Sequence, residues 1–248
     1  MSPAPGSSAH FGRLAERYDA VRPVDANWWQ VYELIERAAD LRGRRVLDIG
    51  CGTGRLSVAL VERAHAKVWG VDASQEMLAV AKEKASGVAF KEAQAESLPF
   101  KDGWFERAVV WLVLHLVDRP AALAEARRIL GPDGRLAIVT FHESHFGAHW
   151  LSRYLPSLER VDLARFPTEA QVVAELGEAG FADVETHRLD QRATVARADA
   201  LVRMRERHIS TFDLIDEDEI ERGLAEAEET LPETVEFELR WLVAVGSA

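Results

Sequence analysis

The chain has 248 residues, of which 48% are hydrophobic and 29% charged, and its formal net charge is -11. This length suits one sizeable α/β core and is short for two independent domains of ordinary size. A protein with this negative charge repels the phosphate backbone of nucleic acids unless a local basic patch attracts it. The densest basic group is Arg42, Arg44 and Arg45, which flanks a predicted buried strand. We therefore expect no nucleic-acid partner.

The sequence also predicts where in the cell the protein is found. No uninterrupted apolar stretch approaches the roughly eighteen residues that a membrane span needs. Residues 1–8 have neither a cationic patch nor an apolar run, so we expect a loose tail and no export signal. Cys51 is the single cysteine of the sequence, so the chain cannot form an internal disulfide. One cysteine is also too few for a zinc site built from cysteines. We therefore expect a soluble, cytoplasmic protein without a membrane partner.

The first predicted element is an amphipathic helix over residues 26–40, where apolar residues recur at helical spacing. Strand-like runs then alternate with helical patterns. The strand-like runs are residues 45–49, 68–71, 88–90, 106–111 and 136–141, and a final strand is expected at residues 235–245. The helical patterns are residues 56–64, 75–86 and 120–130. Alternation of this kind implies right-handed crossovers and a mostly parallel sheet covered on both faces. We predict an α/β, Rossmann-like doubly wound sheet.

Local signals refine these bounds. Ser74 is expected to cap the second helix of the alternation, and residues 132–134, Pro-Asp-Gly, to turn the chain into the fifth strand. Thr168 and Gln171 form a capping-box pattern for a helix that should stop at Gly180.

Two segments, residues 142–166 and 193–232, lie outside the alternation. We interpret residues 1–248 as one domain in which residues 1–25 and both segments are lids over the strand ends. The first segment carries His142, His145 and His149 among aromatic residues. Their spacing is not His-Glu-x-x-His, and imidazoles after a strand end more often line a pocket, so we expect no metal.

The most informative stretch is residues 46–54, an apolar strand that runs into Gly50, Gly52 and Gly54 and then a helix. Such glycines let the backbone approach a ligand closely at the carboxyl end of the strand. Asp72 follows the second strand, where a carboxylate can accept hydrogen bonds from both hydroxyls of a ribose. The glycine loop and this acid predict an adenosine site.

Asp48 distinguishes between adenosine ligands. A nicotinamide-binding loop has the pattern Gly-x-Gly-x-x-Gly with a pyrophosphate at the helix N-terminus, whereas here the pattern is Gly-x-Gly-x-Gly. A carboxylate two residues before the loop would repel a pyrophosphate but could hold the ammonium and sulfonium end of a methionine moiety. This charge argument favours S-adenosylmethionine (SAM).

Residues 46–54 resemble motif I of the class I SAM-dependent methyltransferases, in the small-molecule branch that includes quinone C-methyltransferases. The resemblance continues in family order over about residues 14–190. The other matching segments are Tyr18-Asp19, Arg22-Pro23, Asp72-Ala73-Ser74, residues 95–100 (Ala-Glu-Ser-Leu-Pro-Phe), Phe105-Glu106, Leu114-His115, residues 128–134 and Ala179-Gly180-Phe181.

The resemblance implies a set of cofactor contacts. Gly50, Gly52 and Gly54 would line the methionine and ribose, Asp72 would hold the ribose hydroxyls, and Ala73 and Met77 would pack near the adenine. The loop Gln94-Ala95-Glu96 would contact the adenine edge. Two positions depart from the family, since Gln94 and Glu106 each stand where Asp is usual.

Four further residues are assigned to the cofactor site. Tyr18 and Arg22 match the N-terminal element of the family, although they could simply anchor a lid. Trp111, at the end of the fourth strand, would offer an aromatic face to the sulfonium, unless it belongs to the core. Cys51 lies inside the glycine loop without a His or Asp partner in local sequence, so we place it with the cofactor contacts and not as a nucleophile.

We therefore expect a SAM-dependent methyltransferase with a small-molecule acceptor, built on a mostly parallel sheet of seven strands whose last strand is antiparallel. His115, after the fourth strand, and His142, after the fifth, are candidate general bases, since both would border the acceptor. The alternative is that His115 only packs, because methyl transfer often needs no base. Two other function classes are a non-catalytic SAM-binding module and a nucleotide-dependent oxidoreductase, which the glycine spacing disfavours.

Overall fold

The computed structural model describes residues 14–84 and 86–248, and seven strands run through it as one sheet. They are β1 Arg45–Ile49, β2 Lys67–Asp72, β3 Ala89–Glu92, β4 Phe105–Trp111, β5 Leu130–Phe141, β6 Ala182–Ala196 and β7 Thr234–Ser247. The strand order is β3-β2-β1-β4-β5-β7-β6. Strand β7 is antiparallel to both of its neighbours, and the pairs among β1 to β5 are parallel. The predicted doubly wound sheet with an antiparallel last strand is confirmed.

Helices connect these strands. They are α1 Tyr18–Val21, α2 Ala26–Ala38, α3 Arg55–Glu62, α4 Gln75–Lys84, α5 Arg119–Ile129, α6 His145–Ala148, α7 Leu158–Arg165, α8 Glu169–Glu178, α9 Arg197–Arg205 and α10 Glu217–Thr230. Short 3-10 turns cover Leu114–Leu116, Trp150–Arg153 and Ser210–Leu214. The expected tail at residues 1–8 and the first half of the expected N-terminal lid lie outside the described residues. Within the described residues, no helix is both long and apolar enough to span a membrane.

The predicted helix caps are present. The Ser74 hydroxyl accepts a 3.2 Å hydrogen bond from the Met77 N–H at the start of α4. Thr168 and Gln171 form a reciprocal capping box at α8, which ends just before Gly180. These local signals were readable because each depends on neighbouring side chains and not on the rest of the fold.

Two strands differ from the sequence-based expectation. Strand β5 begins at Leu130 and runs through the predicted turn at residues 132–134, with a shift in its register against β4. Strand β6 had no recognisable pattern, because it is an edge strand whose residues are mostly exposed and polar. It extends to Ala196, so the second outlying segment begins only after it.

The sheet is buried on both faces, as alternation along the strands requires. Leu47 and Ile49 of β1 belong to one apolar cluster, and Val46 belongs to the other. The first cluster includes residues of α5 and α8, and the second includes residues of α2 and α3.

A third apolar cluster joins the two outlying segments. Leu151 and Leu155 come from the first segment, and Met204, Phe212 and Ala227 come from the second. We call residues 145–165 and 197–230 the helical cap. Because its two halves share one core, the cap forms a unit of its own beside the sheet.

Candidate active site

Two neighbouring cavities lie at the carboxyl ends of the parallel strands. The smaller has a volume of about 130 Å³ and the larger about 230 Å³. Tyr18, Trp111 and Leu112 line both, so these residues lie at the boundary between the two cavities. In doubly wound sheets, ligands bind at this edge, where the strand order reverses.

The glycine loop after β1 forms one wall of the smaller cavity. Gly50 and Gly52 have φ angles of +72° and +53°, in the left-handed region that favours glycine. A Cβ atom on Gly50 would lie 2.3 Å from Cγ2 of Val113, which the packing does not allow. A Cβ atom on Gly52 would meet no protein atom within 4 Å. The loop therefore leaves open space beside exposed backbone.

Asp72, at the end of β2, faces the same cavity. One carboxylate oxygen accepts from the Gly52 N–H at 2.8 Å and the other from the Ser74 N–H at 2.9 Å. Burial raises the pKa of Asp72, while these backbone hydrogen bonds oppose the shift. A carboxylate offers about four acceptor positions, so Asp72 retains acceptor capacity for a ligand hydroxyl beyond its backbone contacts.

The remainder of the smaller cavity is mostly apolar. Ala73, buried Met77, Gln94, Ala95 and Glu96 line it as the sequence suggested. Val113, Leu116 and Val117 are three further lining residues, which the sequence did not predict. Only the fold could place these three, because they reach the cavity through the turn after β4 and carry no polar signature.

Glu96 also has a structural role. Its carboxylate accepts a 2.9 Å hydrogen bond from the backbone N–H of Asp118, which caps helix α5. The side chain thereby links the loop after β3 to the segment after β4.

Three of the assigned cofactor residues do not line either cavity. Asp48 is buried beneath the glycine loop, where it accepts a 2.6 Å hydrogen bond from the Ser57 hydroxyl. Burial raises the pKa of Asp48 to about 7. Cys51 is also buried, which raises the pKa of its thiol and disfavours a nucleophilic thiolate. Gly54 precedes the first turn of α3.

The larger cavity has an aromatic wall. Trp28 and Trp111 stack with ring centroids 5.1 Å apart and an interplanar angle of 8°. Phe141 stacks on Trp241 at 4.4 Å. The other aromatic residues of the wall are Tyr18, Phe146, Trp150, Phe166 and Phe237. Flat faces of this kind suit a planar, largely apolar molecule.

Four histidines line this cavity, His115, His145, His149 and His208. Burial lowers the pKa of His115 well below its usual value, and Arg165 and Arg22 add to the shift. Burial likewise lowers the pKa of His145 to about 4. Imidazoles with such pKa values are neutral near pH 7.

His142, the other candidate base, is not part of the cavity wall. Its Nε2 lies 3.5 Å from a carboxylate oxygen of Glu143 and 3.7 Å from one of Glu169. Its Nδ1 accepts from the backbone N–H of Ser144 at 3.1 Å. The structure therefore brings only His115, of the two candidate bases, into the larger cavity.

The segment around α1 connects the cap to the glycine loop. The Arg22 guanidinium donates to the carbonyl oxygen of His208 in the cap, at 3.2 and 3.0 Å. The Thr53 hydroxyl donates to Asp19 at 2.7 Å. Arg22 and Arg55 both lie over the Tyr18 ring, 5.3 and 5.0 Å from its centroid. Tyr18 thus lines both cavities, and Arg22 lines the larger one.

The junction between the cavities has an unusual backbone. Leu112 has a φ angle of +55°, which is uncommon for a bulky residue, and its N–H donates to the Val139 carbonyl at 2.8 Å. Strained conformations of this type persist where the surrounding structure enforces them, often at functional sites.

No group of three or more His, Cys, Asp or Glu side chains suited to a metal ion occurs within residues 14–84 and 86–248. The four cavity histidines face aromatic partners instead. His115 stacks on Phe166 at 3.9 Å, and His145 stacks on Phe141 at 4.1 Å.

Solved structures share this architecture. A candidate methyltransferase of an antibiotic biosynthesis pathway from Anabaena variabilis superposes with a TM-score of 0.70 and 23% identity, covering 86% of this chain and 96% of that one. Phosphoethanolamine N-methyltransferase 2 of Haemonchus contortus, in complex with S-adenosyl-L-methionine, superposes with a TM-score of 0.61 and 18% identity, covering 96% of this chain and 59% of that one. At these identities the likeness shows a common fold.

Sequence comparison is more specific. A family model described as a methyltransferase domain matches residues 46–134. A demethylmenaquinone methyltransferase of Thermus thermophilus is 32% identical over 201 residues, which cover 69% of this chain and 90% of that protein. For the next three curated relatives, the chain spans only 50% to 61% of their length. The Thermus relative, matched over nine-tenths of its length, shows the family, so this chain belongs to the class I SAM-dependent methyltransferases, with S-adenosylmethionine as its cofactor.

Proposed function

We propose that the chain methylates a hydroxylated aromatic small molecule bound in the larger cavity, with His115 as the general base. One observation carries this proposal. His115 lines the larger cavity, while Val113 and Leu116 from the same turn line the smaller one. An acceptor beside His115 therefore lies at the junction of the two cavities.

The smaller cavity fits SAM. Asp72 has acceptor positions left for ribose hydroxyls, and the glycine loop offers open space that a side chain would fill. Ala73 and Met77 would hold the adenine, and Trp111 would face the sulfonium. When bound, SAM supplies an electrophilic methyl group and loses its positive charge on transfer.

The aromatic wall supports a planar acceptor. Trp28, Trp111, Phe141 and Trp241 would fix a ring by stacking and exclude water from it. Alignment of this kind supplies much of the rate of a displacement reaction. The name of the Thermus relative, demethylmenaquinone methyltransferase, points to the same class of ring.

His115 suits the role of a base. Its Nδ1 is buried without a hydrogen-bond partner among the described residues, and we assign Nε2 as the nitrogen that meets the acceptor. The ring is neutral at pH 7, so Nε2 can take the hydroxyl proton as the new bond to the methyl carbon forms. The charge that His115 gains replaces one that the site loses, which reduces the cost of protonating a buried imidazole.

An acceptor with a ring hydroxyl is compatible with methylation at either the oxygen or a ring carbon. Deprotonation makes the oxygen a nucleophile and also makes the adjacent ring carbons electron-rich, so O-methylation and C-methylation begin with the same base. In C-methylation the methylated carbon then loses its own hydrogen as a proton while the ring oxygen regains one, which restores the aromatic ring. The stacked walls constrain the ring plane, and the position of the ring within that plane selects the atom.

The acceptor is a small molecule and not a nucleic acid under this proposal. The net charge of -11 supports this, and Arg42, Arg44 and Arg45 each form ion pairs with nearby acids. We further propose that the helical cap and residues 14–25 act as lids on a single-domain cytoplasmic enzyme. The lid role is supported by the hydrogen bonds that the Arg22 guanidinium donates to the carbonyl oxygen of His208 in the cap.

Incubation with labelled SAM and a fractionated small-molecule extract, followed by mass spectrometry of labelled products, tests the proposal. We expect a labelled hydroxyaryl or methoxyaryl compound. Tight binding of S-adenosylhomocysteine without turnover on any fraction would instead support a non-catalytic SAM-binding module. Binding of NADH without binding of SAM would support an oxidoreductase.

A further inference from the structure

Arg203 is a charged side chain of the larger cavity that has no direct partner among the described residues. It lies on α9 of the helical cap, half-buried, and lines the cavity. Within residues 14–84 and 86–248 its guanidinium makes no hydrogen bond and no ion pair within 4.0 Å. Asp199 and Asp25 act on it only from longer range.

The other two arginines of this cavity are engaged. Arg22 donates to the carbonyl oxygen of His208. Arg55 donates to the carbonyl oxygen of Arg22 and lies 3.6 Å from a carboxylate oxygen of Asp19. Both side chains are thus held by the protein itself, and Arg203 differs from them.

The cavity acids are also engaged. Asp25 accepts from the Trp28 N–H at 2.9 Å and caps α2. Asp162 accepts from the Thr211 hydroxyl at 2.6 Å, and its burial raises its pKa to about 6. Neither carboxylate therefore neutralises Arg203 directly.

We propose that the methyl acceptor carries a carboxylate that binds to Arg203. This inference rests on the proposed function and names the substrate class more closely. A guanidinium offers two parallel N–H groups that match one carboxylate, so a single unpaired arginine suits a monoanion. A phosphate dianion would need more donors than this apolar wall supplies.

The placement of Arg203 gives the acceptor a direction. Arg203 lies on the cap, whereas His115 and Trp111 lie by the end of β4. The carboxylate would thus bind away from the atom that is methylated, and it would be retained in the product. Burial and the nearby charge of Arg22 lower the pKa of Arg203. An anion bound between the two arginines would offset both the desolvation of the Arg203 charge and its repulsion by Arg22.

Binding measurements with matched probes test this inference. Hydroxyphenylacetate, hydroxycinnamate and hydroxynaphthoate, each with its primary amide, are titrated into the full chain saturated with S-adenosylhomocysteine, with tryptophan fluorescence as the readout. We expect the carboxylates to bind about tenfold to a hundredfold more tightly than their amides, the scale of a charge-assisted hydrogen bond. In Arg203→Gln this preference should disappear, and in Arg203→Lys it should be partly kept.

Arg205→Gln is the matched control. Arg205 lies on the same helix but pairs with Glu228 outside the cavity, so the preference should stay at the wild-type level. The absence of a carboxylate preference in every pair, or its survival in Arg203→Gln, overturns the inference. So does tighter binding of phenyl phosphate than of the carboxylates. The assay with labelled SAM separates these results from a failure of the proposed function, which would appear as the absence of methyl transfer to any hydroxylated aromatic compound.

Discussion

The carboxylate of Asp72 accepts a 2.8 Å hydrogen bond from the backbone N–H of Gly52, so the acid after β2 holds the glycine loop after β1. The same carboxylate accepts from Ser74 at the start of α4. Asp72 therefore has a role in loop geometry, in addition to the role toward the ribose that we propose for it.

Asp72→Ala is expected to weaken SAM binding by about 1.5 to 3 kcal/mol, because hydrogen bonds to a charged acceptor are lost. The apo protein should also lose about 1 to 2 kcal/mol of stability, since the Gly52 and Ser74 N–H groups lose their acceptor. Calorimetry and urea unfolding measure the two effects. Asp190→Asn, an exposed acid on β6, is the control. An unchanged dissociation constant in Asp72→Ala would place the ribose elsewhere.

His115→Ala should lower kcat by roughly a hundredfold or more and leave SAM affinity unchanged, since the variant loses the base and keeps the cofactor cavity. His142→Ala should keep near-wild-type turnover, because its ring faces Glu143 and Glu169 and not the larger cavity. Steady-state kinetics with the true acceptor compares them. Wild-type turnover in both variants across about pH 6 to 9 would contradict the general-base role and leave alignment as the source of catalysis.

Gly50→Ala is expected to destabilise the glycine loop by about 1 to 2 kcal/mol or more, from its positive φ and the clash with Val113. SAM binding should weaken with it. Gly177→Ala is the matched control, because this helical glycine has no atom within 4 Å of an added Cβ. That change should stabilise the protein by about 0.5 to 1 kcal/mol. Equal effects of the two substitutions in urea unfolding would refute the loop argument.

His145 should make the protein sensitive to acid. Its pKa is about 4 in the folded chain and about 6.5 ordinarily, because burial disfavours the charged ring. Below pH 6.5 the unfolded chain therefore binds a proton that the folded chain does not, and stability falls as the pH drops from about 6.5 to 4. The loss amounts to up to about 3 kcal/mol.

His145→Phe should reduce this acid-induced loss, since the ring can still stack on Phe141 without a titratable group. Urea unfolding at several pH values measures the slope. His65→Asn, at an exposed position where Asn tolerates the positive φ, should keep the wild-type slope. A slope in His145→Phe equal to that of wild type would show that other groups cause the acid sensitivity.

Much of the cofactor side was readable from the sequence. The alternation of strands and helices predicted the sheet, and the spacing of Gly50, Gly52 and Asp72 predicted which side chains meet at its edge. These features are local, or they follow from the rule that parallel strands end at one edge. Of the assigned cofactor residues, most line the smaller cavity, whereas Asp48 is buried against Ser57.

The acceptor side was decided by tertiary structure. The two outlying segments share one core only because the polar edge strand β6 and its partner β7 bring them together, and no periodicity in the sequence announces that pairing. His115 and His142 looked alike, each following a strand, yet only His115 faces the cavity. Arg203 is one of many arginines in the sequence. Its lack of a partner within the part of the chain that the structure describes depends on where distant residues place their charges, which only the folded chain determines.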